Sequence, residues 1–492
     1  MRFPALVLCV AACGRLGFGG VDRDAGDDVG PRDVGDVGDA PDLVIDMQLV
    51  LRPTGGAPND QFGYVVALSA DGTTLAVGAF GRTNLTGAVY VYVKSGGVWS
   101  QQAVLTPANA GVQDAFGFSL AIAADGNTLV AGAPDEDSAA TTIDGNGADN
   151  SASSAGAAYV FTRNGTQWTQ QAYLKPSNSE SGDSFGESVA ISGSGDVVAV
   201  GASWEDGTGG PVPDPMTNGA LESGAVYAFT RAGGVWTQHS YLKASNTGAN
   251  DHFGFAVAVS GDGARIAATA TGEASVATGI DGNEGDNTQP QSGAVYVFGR
   301  NGASWLKEAY VKASNSDGGD FFGYDVALSA DGATLAVSAE GEDSPSMGVG
   351  GPQVEGAGQA GAVYLFQRGG GWTQTAYIKA TNTEADDRFG RSVALSADGA
   401  TLVVGAALED SAQTGIGASG TSNAAADAGA AYVYKRIAGA WTPALYLKAT
   451  DTASGDQFGA GTAVSGTGRL IAIGAFASDP AGADSGSIYT FE

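Results

Sequence analysis

The sequence is poor in the residues that support most catalytic and metal-binding chemistry. Both cysteines, Cys9 and Cys13, lie near the start, so residues 14–492 can form neither a disulfide nor a cysteine metal cluster. There are two histidines and no G-x-S-x-G nucleophile motif. A Ser-His-Asp triad would depend on His239 or His252, and each is interpreted as a surface substitution within a repeated pattern. These absences argue against an enzyme.

Basic residues and long apolar runs are scarce as well. The chain has 23 Lys and Arg against 53 Asp and Glu, which gives a net charge of -30. A nucleic-acid-binding surface needs clustered positive charge, so nucleic acid is not expected as a partner, and attraction to anionic lipid is disfavoured. No stretch after the N-terminus reaches the roughly 18 apolar residues of a membrane span. Any membrane attachment would therefore be through an N-terminal lipid.

The N-terminus has the pattern of an export signal. Arg2 is followed by a short apolar run, and Val10-Ala11-Ala12-Cys13 resembles the bacterial lipobox, in which the cysteine is lipidated. We predict a lipoprotein signal peptide over residues 1–12, with Cys13 as the lipidated residue. An ordinary signal peptide containing a cysteine is the alternative. Residues 13–43 are rich in Asp, Gly and Pro and are interpreted as a flexible acidic tether. The predicted location is the cell envelope, at the outer membrane or the cell surface.

A tetrapeptide, Asp-x-Phe-Gly, occurs seven times after the tether. It begins at Asp60, Asp114, Asp183, Asp251, Asp320, Asp387 and Asp456. Each copy leads into an apolar strand, a two-residue turn such as Asp71-Gly72, and a second apolar strand. Glycine at the second turn position provides the positive φ of a tight hairpin. Each repeat is therefore predicted to begin with a β-hairpin.

Two more strands follow in each repeat. The third carries Gly and then Tyr, as in Gly87 and Tyr90, and the fourth begins at a Trp and ends in a Tyr-Leu-Lys-like triplet. Four strands per repeat without helical periodicity predict an all-β, seven-bladed β-propeller of four-stranded antiparallel blades over residues 44–492. The last repeat stops after its third strand, and residues 44–52 align with the fourth strand at 235–243. We therefore predict a monomeric propeller, closed by the N-terminal strand completing the last blade.

The Phe-Gly opening and a later Gly-Ala, as in Gly78-Ala79 and Gly132-Ala133-Pro134, resemble the FG-GAP repeat of the integrin α-subunit propeller. The resemblance covers residues 44–492. It implies an extracellular protein that serves adhesion or ligand recognition. Integrin-like blades often carry a calcium loop in the first hairpin, but here Ala67 and Leu75 stand at ligand positions. Calcium is therefore not expected in the first hairpins.

Long loops between strands two and three form a second acidic pattern in repeats two to six. An acidic pair opens four of them, and two contain Ile-Asp-Gly-Asn-x-x-Asp-Asn. Alternating oxygen ligands are what Ca²⁺ uses, but Asp and Asn also stabilise long turns through their own backbone, and both interpretations stay open. The candidate calcium ligands are Glu136, Asp137, Asp144, Asn146, Asp149, Asp281, Asn283, Asp286, Glu342, Asp343, Glu409 and Asp410.

Six of the seven tryptophans occupy one repeat position and are predicted to pack within blades. The exception, Trp204, lies in a long loop beside Glu205 and Asp206, which makes these three residues candidates for ligand binding.

Together these features predict a non-catalytic recognition or adhesion module that binds an extracellular protein or glycan through long acidic loops on one rim. A structural scaffold of the envelope without a specific ligand is the first alternative, and a propeller-type polysaccharide hydrolase or lyase is the second.

Overall fold

A computed structural model describes residues 48–208, 218–302, 304–417 and 420–492. Residues 43–492 form one compact unit. The predicted signal peptide and tether, including Cys13, lie outside the described residues. In the described ranges no helix has the length and apolar character needed to span a membrane.

The described residues form seven four-stranded antiparallel sheets, as the repeats predict. We number these blades 1 to 7 in the order of their first strands. Each first strand contacts the first strands of both neighbouring blades, so the seven first strands surround a common axis. The first strands are β2 (Val66–Leu68), β6 (Leu120–Ile122), β10 (Ser188–Ile191), β14 (Phe253–Val259), β18 (Phe322–Leu328), β22 (Ser392–Leu395) and β26 (Gly461–Val464). The second strands are β3 (Thr74–Ala79), β7 (Thr128–Ala133), β11 (Val197–Ala202), β15 (Arg265–Ala270), β19 (Thr334–Ala339), β23 (Thr401–Ala406) and β27 (Ile471–Ala475).

Third and fourth strands continue each sheet outwards from the axis. The third strands are β4 (Ala88–Ser95), β8 (Ala157–Asn164), β12 (Ala225–Ala232), β16 (Ala294–Asn301), β20 (Ala362–Arg368), β24 (Ala430–Ile437) and β28 (Ser487–Phe491). The fourth strands of blades 1 to 6 are β5 (Val98–Leu105), β9 (Gln167–Leu174), β13 (Val235–Leu242), β17 (Ser304–Val311), β21 (Trp372–Ile378) and β25 (Ala440–Leu447). A four-residue helical segment, α1 (Arg82–Leu85), lies between β3 and β4.

Blade 7 takes its fourth strand from the other end of the chain. Strand β1 (Gln48–Leu51) pairs antiparallel with β28, with Leu49 opposite Thr490. This is the pairing expected from the alignment of residues 44–52 with a fourth strand. It covers the edge of β28, which would otherwise present unpaired backbone groups to solvent.

The second strands are the most deeply buried strands of the blades. The second strand of blade 1 reads TLAVGA and is buried at every residue, because it lies between two other strands and beneath both neighbouring blades. The fourth strand alternates more, since its outer side faces solvent. Seven apolar clusters fill the spaces between neighbouring blades, and one of them joins Phe62 and Val77 to Ala472 and Ile488, that is, blade 1 to blade 7.

The hairpin between the first two strands depends on its turn residues. Gly72 adopts φ +71°, as a tight turn requires. The Ser69 hydroxyl donates to Asp71 at 2.6 Å and accepts the amide of Thr74 at 2.9 Å. These bonds satisfy polar groups at the end of the hairpin where no strand partner is available.

The repeated Phe-Gly and Gly-Tyr motifs are explained by one contact between blades. Gly87 at the start of β4 forms a parallel bridge with Phe116 of the next repeat. A side chain at Gly87 would come within 2.0 Å of the Phe116 carbonyl oxygen, so only glycine fits. The Phe116 ring is buried between blades 1 and 2 and meets Tyr159 edge-on at 5.5 Å, so it acts as a wedge between the two blades.

The Asp of each Asp-x-Phe-Gly caps the preceding turn. Its carboxylate accepts the backbone amide three residues earlier in all seven repeats, for example Gly111 to Asp114 at 2.6 Å. The repeated tryptophans also pack as predicted. Trp236 is 5% exposed, lies beneath the Arg231 guanidinium and donates to Gln171 of the neighbouring blade at 3.0 Å.

Candidate functional site

The two kinds of long connection in the propeller leave from the same end. Each first strand begins, and each second strand ends, at the end where the two-to-three loops and the blade-to-blade loops lie. The tight hairpins lie at the opposite end. We call the first end the mouth. It therefore contains the predicted acidic loops and the entrance to the axis.

The glutamates of the acidic loops are buried in a network inside each of blades 2 to 6. Each carboxylate pairs with the lysine that follows the fourth strand of the same blade. In blade 4, Glu273 lies 2.9 Å from the Lys312 Nζ, and both side chains are at most 1% exposed. The five pairs are Glu136–Lys175, Glu205–Lys243, Glu273–Lys312, Glu342–Lys379 and Glu409–Lys448.

Two further groups complete each network. In blade 4 the Tyr310 hydroxyl donates to Glu273 at 2.9 Å, and the Asn246 amide, which follows the fourth strand of blade 3, donates to it at 3.0 Å. The Tyr296 hydroxyl of the third strand donates in turn to Asn246. Burial lowers the pKa of Lys312, whereas the charge of Glu273 raises it and favours the ion pair. The network connects neighbouring blades at the mouth.

The aspartates of the acidic pairs brace their loops. Asp137 accepts the amide of Ser154 at 2.9 Å, and Asp343 accepts that of Gln359 at 2.7 Å. Asp206 and Asp410 make the same bond across 16 or 17 residues of their loops. This is the backbone-bonding alternative to calcium ligation.

The two Ile-Asp-Gly-Asn segments are bonded in the same manner. Asp144 accepts the Tyr173 amide at 2.8 Å, and Asp281 accepts the Tyr310 amide at 2.9 Å. Asn146, Asp149, Asn283 and Asp286 each accept an amide two residues later. Every one of the twelve candidate calcium ligands thus accepts a hydrogen bond from the protein itself. Within the described ranges no group of three or more His, Cys, Asp or Glu is arranged to hold a metal ion.

The three predicted ligand-binding residues have different surroundings. Glu205 is 2% exposed and is bonded to Lys243, and Asp206 accepts the Glu222 amide at 2.7 Å. Trp204 is separate from both. It is partly buried and packs edge-on against His252 at 5.1 Å. His252 therefore contacts a predicted site residue, which its interpretation as a surface substitution did not anticipate.

A second set of residues at the mouth differs from blade to blade. These are the residues that immediately follow each Phe-Gly, which we call the axial positions, and they line a cavity of about 270 Å³ on the propeller axis. The residues that hold the blades together repeat, whereas these seven positions carry five different residue types, with Tyr and Phe occurring twice each. The axial positions are Tyr64, Phe118, Glu187, Phe255, Tyr324, Arg391 and Ala460.

One side of the axial cavity is aromatic. Tyr64 packs against Phe80 at 4.7 Å, Phe118 at 5.2 Å and Phe476 at 5.3 Å. Phe80 and Phe476 each follow the Gly-Ala that ends a second strand, so they lie at the mouth. Such a cluster offers flat apolar surface beside the polar groups of the axis.

Three charged residues, Glu187, Asp325 and Arg391, also line the cavity, and further charged groups lie beside them. The Arg391 guanidinium lies over Tyr324 at 5.0 Å and 3.9 Å from Glu340. Arg388 approaches the same carboxylate at 3.5 Å. The Ser203 hydroxyl, next to Trp204, donates to Glu187. One Glu340 oxygen, Oε2, is buried and accepts no hydrogen bond from the described residues.

Burial at the axis changes the acidity of these carboxyls. It raises the pKa of Glu187 to about 7 and that of Glu340 to about 7, from the ordinary value near 4.5. It also raises the pKa of Asp325 to about 6, although two backbone amides donate to that carboxylate and oppose the shift. The axis therefore holds carboxyl groups that are partly protonated near neutral pH.

Sequence reasoning missed both the buried networks and the axial positions. Glu273 and Lys312 are 39 residues apart, so no local pattern connects them. A usable signal was present, because Glu, Lys, Tyr and Asn occur together in blades 2 to 6. The axial positions could have been found as the place after Phe-Gly where the repeats disagree.

The ring of seven four-stranded sheets defines a seven-bladed β-propeller, and the axial positions line a cavity at its mouth. The chain belongs to the FG-GAP repeat family. The FG-GAP repeat model matches residues 47–92, 99–161, 168–229, 236–298, 305–366, 372–434 and 441–491. Each match begins at the fourth strand of one blade and ends in the third strand of the next, except that the first begins at residue 47, beside β1.

Other comparisons add little. None of the curated proteins matches this chain. Among solved structures, the chain is similar to hydrazine synthase of Kuenenia stuttgartiensis, with 12% sequence identity and a TM-score of 0.49 over 86% of this chain and 95% of that chain. That likeness is too low to carry an argument about activity.

Proposed function

We propose that this protein is an exported, non-catalytic recognition module that binds an extracellular protein or glycan at the mouth of the propeller. The supporting observation is the contrast between framework and axial positions. Residues that join blades recur in repeat after repeat, whereas the axial positions differ and line one cavity. A purely structural channel would need no such variety. Function on a propeller resides in the site and not in the fold.

The proposed binding groups lie nearer the axis than the acidic loops of the rim that the sequence predicts. The loop carboxylates accept hydrogen bonds within the protein, and these bonds fix the shape of the loops at the mouth. Trp204 remains a candidate contact residue. Its indole packs against His252, whose ring nitrogen lies within hydrogen-bond distance of the Ser203 carbonyl, and the Ser203 hydroxyl donates to Glu187. A ligand would meet aromatic surface on one side and Arg391 and Glu187 on the other. Such a mixture of apolar and convergent polar groups is typical of ligand pockets.

Lipid attachment through Cys13 belongs to the same proposal. The lipobox-like Val10-Ala11-Ala12-Cys13 supports it, and the tether of residues 13–43 would hold the propeller away from the membrane. The test is fractionation of cells that produce the full chain. The native chain is expected in the membrane fraction, and Cys13→Ser in the soluble fraction. Equal membrane association of both chains would contradict the lipid anchor.

The binding proposal is tested on arrays of glycans and extracellular proteins. The full chain is compared with the axial variant Glu187→Gln with Arg391→Gln, which removes two charges and leaves both positions polar. The matched control is Asp331→Asn with Arg300→Gln at the hairpin end. We expect ligands that bind the native chain and the control but not the axial variant. No ligand at all would favour the structural scaffold.

A hydrolase or lyase is the second candidate, and one observation favours it. The pKa values of Glu187 and Glu340 near 7 would let one carboxyl donate a proton and another accept one. Release of reducing ends or unsaturated products from a polysaccharide panel is the measurement. Turnover that Glu187→Gln or Glu340→Gln abolishes would establish the enzyme and overturn the non-catalytic proposal.

A further inference from the structure

Blade 1 lacks the entire Asn–Glu–Lys–Tyr network of blades 2 to 6. Arg82 replaces the glutamate and Thr106 replaces the lysine, while Gly55 and Val104 replace the asparagine and the tyrosine. In blade 7 the equivalent place is filled differently, by Asp451, which pairs with Arg52 at 3.1 Å and accepts the Tyr489 hydroxyl at 2.6 Å. Blade 1 has no such substitute among the described residues.

The missing groups leave space at the mouth. A cavity of about 680 Å³ opens there, between residues 55–61, residues 81–85 of the short loop, and Gln113 of the next connection. Its size lies within the range of small-molecule sites. It is separate from the axial cavity, since none of its lining residues is an axial position.

Arg82 provides an uncompensated positive charge in this cavity. Its guanidinium lies over the Tyr90 ring at 5.2 Å, and no ion pair involves it in the described part of the chain. The Tyr90 hydroxyl is fully buried and has no hydrogen-bond partner there. In blades 3 to 6 the equivalent hydroxyl donates to the asparagine that Gly55 replaces. Blade 1 has no asparagine at this position, because Gly55 stands there.

The remaining lining is rich in groups that bind hydroxyls. Four side-chain amides line the cavity, those of Asn59, Gln61, Asn84 and Gln113. None of these side chains makes a hydrogen bond within the described residues. The Asp60 carboxylate lies there too and accepts only the Ala57 amide at 2.9 Å. Amide side chains can donate to and accept from vicinal hydroxyl groups, and a carboxylate accepts from them.

The lining segments are held in place by backbone contacts. The backbone N–H of Asn59 donates to the Ala483 carbonyl at 2.7 Å, and that of Gln61 donates to the Asp484 carbonyl at 2.9 Å. These bonds fix the first segment to blade 7. Residues Thr83, Asn84 and Leu85 all adopt positive φ, and the Ala115 amide donates to the Leu85 carbonyl at 2.7 Å. A preformed cavity loses less entropy when a ligand binds.

We propose that the blade 1 cavity binds a carboxylated sugar unit, a uronate. Arg82 would hold the carboxylate through paired N–H donors, and the amides with Asp60 would bind the ring hydroxyls. A doubly charged phosphate is disfavoured, because Asp60 lies in the same cavity and the chain carries a net charge of -30.

Titration calorimetry on the full chain with glucuronate and galacturonate tests the proposal, with glucose, acetate and inorganic phosphate as comparison probes. We expect uronate to bind and to bind at least about tenfold more tightly than glucose or acetate. Arg82→Gln should weaken uronate binding by at least about tenfold, since it removes the charge-assisted pair. The matched control Arg300→Gln, at the hairpin end, should leave it unchanged.

Three results would overturn the proposal: no uronate binding at millimolar concentration, equal binding of glucose, or equal binding by the native chain and Arg82→Gln. A second variant rebuilds the buried network through Gly55→Asn, Arg82→Glu, Val104→Tyr and Thr106→Lys. It should lose uronate binding without a lower melting temperature, because five blades already contain these residues. Uronate bound as tightly by that variant would also overturn the proposal.

The proposal for the blade 1 cavity and the proposal for the axial cavity can be tested independently. Arg82→Gln leaves every axial position unchanged, and Glu187→Gln leaves every residue of the blade 1 cavity unchanged. Uronate binding that only Arg82→Gln reduces supports the blade 1 site, whatever the axial ligand proves to be.

Discussion

A buried Glu–Lys ion pair lies in each of blades 2 to 6, and an asparagine joins each pair to the preceding blade. Glu273 and Lys312 are each at most 1% exposed, and their pair is completed by Tyr310 and Asn246. Removal of one partner leaves the other as a buried, unpaired charge, which is far more costly than the loss of an exposed ion pair.

We predict that Lys312→Met lowers the free energy of unfolding by about 3–5 kcal/mol, because Glu273 loses its cation inside the protein. Urea denaturation measures the change. The matched control is Lys307→Met in β17, which removes a partly exposed pair with Glu284 and should cost less than about 1 kcal/mol. Equal losses for the two variants would contradict the buried-pair account.

Much of the framework could be predicted from individual residues, because their roles are local. Gly72 marks a hairpin and Asp114 caps a turn within three residues of itself. The burial of Glu273 could not be predicted in the same way, since its partners come from two blades. The acidic residues that open the long loops resembled calcium ligands, because the lysine that neutralises each glutamate is distant in sequence.

Among the strands, β1 has a special role in closing the propeller. It is the outer strand of blade 7 and comes from the opposite end of the chain. Without it, β28 would be an exposed edge strand.

We predict that a chain beginning at residue 53, which lacks β1, melts at a lower temperature than the full chain and associates through the free edge of β28. Differential scanning calorimetry and light scattering measure the two effects. A chain beginning at residue 44 is the control and should behave as the full chain does. Equal melting and a monomeric state for the chain beginning at 53 would contradict the role of β1.

The long loops allow a prediction about metal. Their candidate ligands already accept hydrogen bonds from the protein, such as Asp144 from the Tyr173 amide. We therefore expect millimolar Ca²⁺ or a chelator to leave the melting temperature unchanged, because a ligand that binds the native state would raise it by mass action. An upward shift with Ca²⁺ that Asp144→Asn and Asp281→Asn remove would establish a calcium site in these loops.

For the whole molecule, several turn-capping aspartates share one electrostatic property. Burial raises the pKa of Asp183 and of Asp387 to about 8, and that of Asp320 to about 7. In the unfolded chain the same groups titrate near 4. Between these values the native state binds more protons than the unfolded state, so stability falls as pH rises from about 4 to about 8.

We predict that the melting temperature is higher at pH 5 than at pH 8. Asp183→Asn keeps a cap acceptor and removes the titration, so it should make this dependence weaker. Asp331→Asn is the control, because hydrogen bonds from Ser329 and Ala333 lower the pKa of that exposed carboxyl and remove it from this pH window. A melting temperature that rises from pH 5 to pH 8 would show that the buried aspartates do not govern stability.

The central claim is that ligand recognition occurs at the axial positions of the mouth. The most direct measurement is the dissociation constant of an array-selected ligand for three forms of the full chain. The native chain and Asp331→Asn with Arg300→Gln should agree, and Glu187→Gln with Arg391→Gln should bind at least about tenfold more weakly. Equal dissociation constants for all three forms would contradict the claim.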